Sequence, residues 1–116
     1  MTEEGAVRKV RLCAMSALPE GRGTAMRVDE VELALFRIGE QVYALENLCP
    51  HQHIPVLAEG SLDGTVLTCP MHGWRYDVTD GRCVHASGRV ATYPVVIEAG
   101  DVYVVMDEAR DTPSWW

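Results

Sequence analysis

The sequence predicts an all-β domain, an antiparallel β-sandwich or small barrel, from three observations. Short apolar and β-branched runs recur along the 116-residue chain. Turn residues separate them at close intervals, and helical periodicity is almost absent. The first run is VRKVRLC over residues 7–13, with apolar residues loosely at strand spacing. ALPEGRG (17–23) reads as a Pro/Gly loop and leads into TAMRV (24–28). VELALFRI (31–38) and VYALEN (42–47) flank Gly39-Glu40-Gln41, which reads as a hairpin turn. A helical turn is expected in VLAEG (56–60), and Asp63-Gly64 introduces the strand TVLT (65–68). WRYDV (74–78) and CVHA (83–86) flank a second hairpin signal, Thr79-Asp80-Gly81. The segment 89–107 supplies two final strands around Ala99-Gly100-Asp101, with Pro94 confining its surroundings to an edge or a bulge.

This length suits one domain with a single core, in which burial is adequate but not generous. No run of about 18 apolar residues exists to span a membrane, and the acidic N-terminus has no apolar run of signal-peptide length. A soluble, cytoplasmic monomer is expected. The formal charge of −7, with a single lysine (Lys9) and no basic cluster in the sequence, argues against nucleic acid. It suits solubility, or docking onto a basic partner.

The chemistry concentrates in two short stretches, CPHQH (49–53) and CPMH (69–72). They hold Cys49, His51, His53, Cys69 and His72, five of the eight Cys and His residues in the chain. The pattern is Cys-x-His, seventeen intervening residues, then Cys-x-x-His. Two thiolates and two imidazoles suit zinc or an iron–sulfur cluster. Structural zinc sites usually group Cys with Cys and His with His, whereas here each loop brings one of each. A two-iron cluster with unlike irons can use that arrangement. Cys13 and Cys83 lie outside the loops and read as small buried hydrophobes. No residue reads as a nucleophile or general base, and Asp77 and Asp80 read as turn and surface carboxylates.

The stretch 49–83, CPHQHIPVLAEGSLDGTVLTCPMHGWRYDVTDGRC, resembles the cluster-binding segment of the Rieske family. The similarity reaches the LPEG loop and ATYPVVIEAGDVYVV, and so covers nearly the whole chain except its tail. It implies the Rieske fold over 1–108, a two-loop cluster-binding subdomain at about 45–84, and a flexible tail at 109–116. It also implies one [2Fe–2S] cluster, with Cys49 and Cys69 on the inner iron and His51 and His72 on the outer. Pro50, Pro70, Met71 and Trp74 would screen the cluster sulfurs.

Respiratory Rieske proteins carry a further Cys in each loop, where this chain has Ile54 and Met71. They also carry a Ser where it has Trp74. Tyr76 keeps the position of another hydroxyl donor. The resemblance therefore implies a reduction potential towards the low end of the Rieske range, about −150 to +300 mV. His53 has three open readings: an exposed loop residue without a role, part of a docking rim, or a replacement for His51.

By resemblance the protein is a one-electron carrier between a flavin-containing NAD(P)H reductase and a terminal oxygenase. The loop residues look most like ferredoxins of diiron toluene and alkene monooxygenases. The alternatives are a ferredoxin of an aromatic-ring dioxygenase system and, in another class, a structural zinc-binding interaction module.

Overall fold

The computed structural model describes residues 7–28, 31–48, 56–70, 73–84 and 88–107. These residues form ten strands in three antiparallel sheets. The first sheet has the order β1-β10-β9, from Val7–Ala14, Asp101–Asp107 and Val95–Glu98. The second has the order β2-β3-β4-β8, from Gly23–Val28, Val31–Ile38, Gln41–Glu46 and Thr92–Tyr93. The third is small, with β5 (Ser61–Asp63), β6 (Val66–Thr68) and β7 (Arg75–Asp77) in sequence order.

The all-β expectation holds, and its physical centre is β3. In a strand successive side chains leave opposite faces, so a continuous apolar run such as LALF is buried on both. Leu33, Ala34, Leu35 and Phe36 are all fully buried. Leu33 and Leu35 join Val42 and Ala44 against Val102, Val104 and Met106 of the first sheet. Ala34 and Phe36 join Leu45 on the other face, against Leu57, Leu67, Cys69, Tyr76 and Val78. The middle sheet thus serves two cores, and the second of them is the wall on which the cysteine-bearing loops are built.

The hairpin expected at Gly39 forms with Ile38 opposite Gln41. The helical turn expected at 56–60 is a single 3-10 turn, Leu57–Glu59. A second such turn, Met15–Ala17, follows β1 and was not expected from sequence. The final segment departs from expectation, because it makes three strands where two were read. Pro94 divides the first of them: β8 pairs with β4, whereas β9 pairs with β10. Proline has no N–H to donate to a ladder, so the chain changes sheets there, and both flanking strands are sheet edges. The carbonyl of Pro94 still accepts a bond from the Val105 amide at 2.9 Å.

None of the helices formed by the described residues is long and apolar enough to cross a membrane. The tail expected to be flexible, 109–116, lies outside the described residues.

Candidate metal centre

The site is built where the third sheet meets the second core. Between the two motif stretches the chain folds into the β5–β6 hairpin, which places Ser61 opposite Thr68. Residues just after the first loop therefore lie beside those just before Cys69. The approach is close at Gly60, where a Cβ would stand 2.4 Å from the Thr68 carbonyl oxygen. Only glycine fits there without displacing backbone.

Cys69 directly follows β6 with 1% of its surface exposed, inside the core of Leu57, Leu67, Tyr76 and Cys83. Its amide donates to the Trp74 carbonyl at 2.7 Å, and its own carbonyl accepts from Gly73 at 3.1 Å. Gly73 has φ +73°, a left-handed conformation that glycine adopts without a Cβ clash. These bonds close the second loop into a tight turn and return the chain to β7.

The first loop is tied at both ends by Asn47, which sequence reasoning missed. Asn47 is 1% exposed. Its side-chain carbonyl accepts from the Ala58 amide at 2.8 Å, and its NH2 donates to Glu32 at 3.1 Å. Its backbone amide donates to the Glu32 carbonyl at 2.8 Å. One buried amide therefore joins the residue two places before Cys49 to the turn after the loop. The only sequence signal was an Asn near a Cys, too common a pairing to stand out.

Among the other expected site residues, Cys49, Pro50, His51, His53, Met71 and His72 lie outside the described residues, as does Ile54. Pro70 is exposed, and Trp74 is half-buried with its apolar surface against the second core. Tyr76 is fully buried, opposite Leu67 on one side and bridged to Cys83 on the other. Cys83 is buried, and Cys13 is half-buried against the first core. Burial pushes the Cys13 thiol up, with a smaller opposing pull from Arg11. Cys83 therefore fits the buried role expected of it, whereas Cys13 is only partly buried.

Asp77 and Asp80 are turn carboxylates, as expected. Asp77 accepts from the Thr79 hydroxyl at 2.6 Å and from the Thr79 amide at 2.9 Å. Those two bonds, the hydroxyl first, hold its carboxyl below the usual carboxylate range. Asp80 accepts from the Arg82 amide at 2.9 Å.

The sequence shows no basic cluster, but the strand register assembles one. Arg82 stands directly opposite Arg89, and the Tyr76–Cys83 bridge sets Arg75 on the same outer face. All three arginines are exposed. Their separation along the chain hides this, and only the two chain reversals bring them together.

A buried Cys69 with its backbone bonded to Gly73 and Trp74 fits a thiolate-bound cluster with part of its shell inside the protein. The donor set of two Cys and two His fits the same group, which Rieske centres bind with that combination.

Comparison with known proteins agrees. The ferredoxin component of the naphthalene 1,2-dioxygenase system of Pseudomonas aeruginosa is 37% identical over 93 residues, 78% of this chain and 88% of that protein. The 3-phenylpropionate/cinnamic acid dioxygenase ferredoxin subunit of Shigella flexneri is 32% identical over 108 residues, 90% of this chain and 99% of that protein. A chain in a solved complex of reduced oxygenase and oxidized ferredoxin in carbazole 1,9a-dioxygenase superposes with a TM-score of 0.74 at 34% identity. It covers 83% of this chain and 91% of its own length. Residues 8–94 match the Rieske [2Fe-2S] domain. The chain belongs to the Rieske [2Fe-2S] domain family, and its cofactor is a [2Fe–2S] cluster.

Proposed function

We propose that this protein is the ferredoxin component of an aromatic-ring dioxygenase system, a one-electron carrier from a flavin-containing NAD(P)H reductase to a terminal oxygenase. The observation that carries this reading is the similarity to dioxygenase ferredoxins over 78–90% of the chain. It favours the dioxygenase reading over the diiron monooxygenase reading suggested by the loop residues, and it sets the zinc module aside. A cytoplasmic location accords with it.

Cys49, His51, Cys69 and His72 hold the cluster, within a binding unit spanning about 45–84. Imidazole in place of thiolate lowers the negative charge beside the cluster, which makes an added electron easier to accept. Cys69 supplies one thiolate from inside the core, where water is excluded. Asn47 joins the chain on either side of the first loop, and the Gly73 turn returns the second to β7. No nucleophile or general base is needed, because an electron carrier makes and breaks no bond in the substrate.

The test is reoxidation of the reduced protein by two oxygenases, one from an aromatic-ring dioxygenase and one from a diiron monooxygenase. Faster reoxidation by the dioxygenase component supports the proposal. Faster reoxidation by the diiron enzyme restores the monooxygenase reading.

A further inference from the structure

On the larger sheets four cations face carboxylates: Lys9 with Glu98 at 2.8 Å, Arg11 with Asp101 at 3.0 Å, Arg27 with Glu32 at 3.9 Å, and Arg37 with Glu20 at 3.8 Å. Arg22, exposed just before β2, makes no salt bridge among the described residues. On the small sheet, Arg75, Arg82 and Arg89 make no salt bridge among the described residues.

Burial alternates along these segments. Tyr76, Cys83 and Val90 point into the core, so Arg75, Arg82 and Arg89 point out. Ladder bonds fix the alignment: Val84 donates to Arg75 at 3.0 Å, Asp77 donates to Arg82 at 2.9 Å, and Cys83 donates to Gly88 at 3.0 Å. Arg82 and Arg89 are a directly opposed like-charge pair, an arrangement that destabilises a sheet. Asp77 shares the face and is the one carboxylate among the described residues that acts on Arg82 there, but its hydrogen bonds go to Thr79 and it makes no salt bridge to the arginine. Beside the arginines lies Val84, 43% exposed, one of two large hydrophobic residues exposed among those described. Arg75 is the register partner of Thr68, the residue before Cys69. The patch thus borders the loop that carries a cluster ligand.

We propose that Arg75, Arg82 and Arg89, with Val84 among them, form a docking face for an acidic surface on the terminal oxygenase. The proposal rests on the carrier reading above. Exposed guanidiniums without a salt bridge among the described residues, set around an exposed apolar residue, are the complement of a carboxylate-lined patch with an apolar centre. An acidic partner also relieves the repulsion between Arg82 and Arg89. The sign is opposite to that of the chain as a whole, whose charge of −7 suits a basic partner. Docking here therefore selects one orientation, with the loop of Cys69 turned towards the oxygenase.

The experiment compares the cluster-loaded wild-type protein with Arg75→Glu/Arg82→Glu/Arg89→Glu, and with a control, Lys9→Glu/Arg11→Glu, on the first sheet. Stopped-flow rates of electron transfer to the purified oxygenase component of its own system are measured across ionic strength, with each variant's midpoint potential and reduced-state EPR spectrum. A milder variant, Arg75→Gln/Arg89→Gln, serves if the triple reversal does not fold. The expected result is a loss of at least tenfold at low salt for the triple reversal, and several-fold for the milder variant, with a flattened or inverted salt dependence. The EPR spectrum stays unchanged, and the control remains near wild type.

Equal rates for wild type and patch variants overturn the docking face. So does a loss confined to the step from the reductase, which assigns the arginines to the other partner. A loss fully explained by a shifted midpoint also overturns it. A wild-type protein that reduces no oxygenase overturns the carrier reading itself.

Discussion

The two cores on either face of β3 are built on different terms. The sandwich core lies between sheets whose main strands run six to eight residues, with β1 and β10 paired from Val7–Asp107 to Ala14–Asp101 across one bulge between Arg11 and Cys13. The cluster-side core is enclosed by three strands of three residues each, joined by turns. Its apolar wall, Ala34, Phe36 and Leu45, belongs to the sandwich. The first region has enough ladder and apolar surface to hold itself. The second has little ladder of its own and leans on the wall behind it and on Asn47, and under the proposed ligand set the cluster would tie its loops together. A rigid body carrying a metal-ordered tip follows from that division.

Substitutions on the two faces of β3 test this most strongly. Leu35→Ala and Phe36→Ala both remove fully buried side chains from adjacent positions. Each is expected to cost about 2–5 kcal/mol. Leu35→Ala should lower the denaturant midpoint of the whole domain. Phe36→Ala should also speed loss of the cluster's visible absorbance in the presence of a chelator. Equal rates of cluster loss in the two variants would remove the distinction between the cores.

The next effect is at Asn47. Asn47→Leu removes its bonds to Ala58 and Glu32 and leaves the buried Ala58 amide without that acceptor, at a cost of about 1–3 kcal/mol. Faster cluster release with a small change in chemical denaturation is expected. Asn47→Asp keeps the acceptor for Ala58 but sets a carboxylate against Glu32, and should fall between Leu and wild type.

A smaller effect belongs to the sandwich alone. Ala99 has φ +53° in the β9–β10 turn, ahead of Gly100 at +82°. A left-handed alanine costs about 1 kcal/mol, so Ala99→Gly should raise the thermal midpoint without altering cluster retention. The smallest effect is at Asp77, on the cluster side. Its folded carboxyl is held low chiefly by the Thr79 hydroxyl, so that bond contributes stability above the ordinary carboxylate range, about pH 4. The contribution disappears as pH falls through the lower folded value. Thr79→Val should therefore be less stable than wild type in urea at neutral pH, and the gap should close under strong acid.

Much of this was legible in the sequence. VELALFRI matches β3 residue for residue, because its LALF centre, with no polar alternation, has to be buried on both faces. The turn at Gly39 and the 3-10 turn at Leu57–Glu59 were local signals and survive. The split at Pro94 was half legible. A missing N–H predicts an interruption, but which sheet accepts each half depends on long-range pairing. Cys69 stood out by spacing as a proposed ligand; its burial beside the Gly73 turn could not be read from that spacing. Asn47 and the three arginines were not. Their roles arise from partners far along the chain, Glu32 and Ala58 for the first and mutual register for the others.

The sandwich is expected to stand without the metal, and the cluster-side region is not. Hydrogen exchange on the cluster-loaded and cluster-stripped protein tests it directly. Stripping the cluster should deprotect amides in β5, β6 and β7 by at least tenfold while β3 and β10 keep their protection. Unchanged protection in all three short strands, or an equal loss in β3 and β10, would contradict the account.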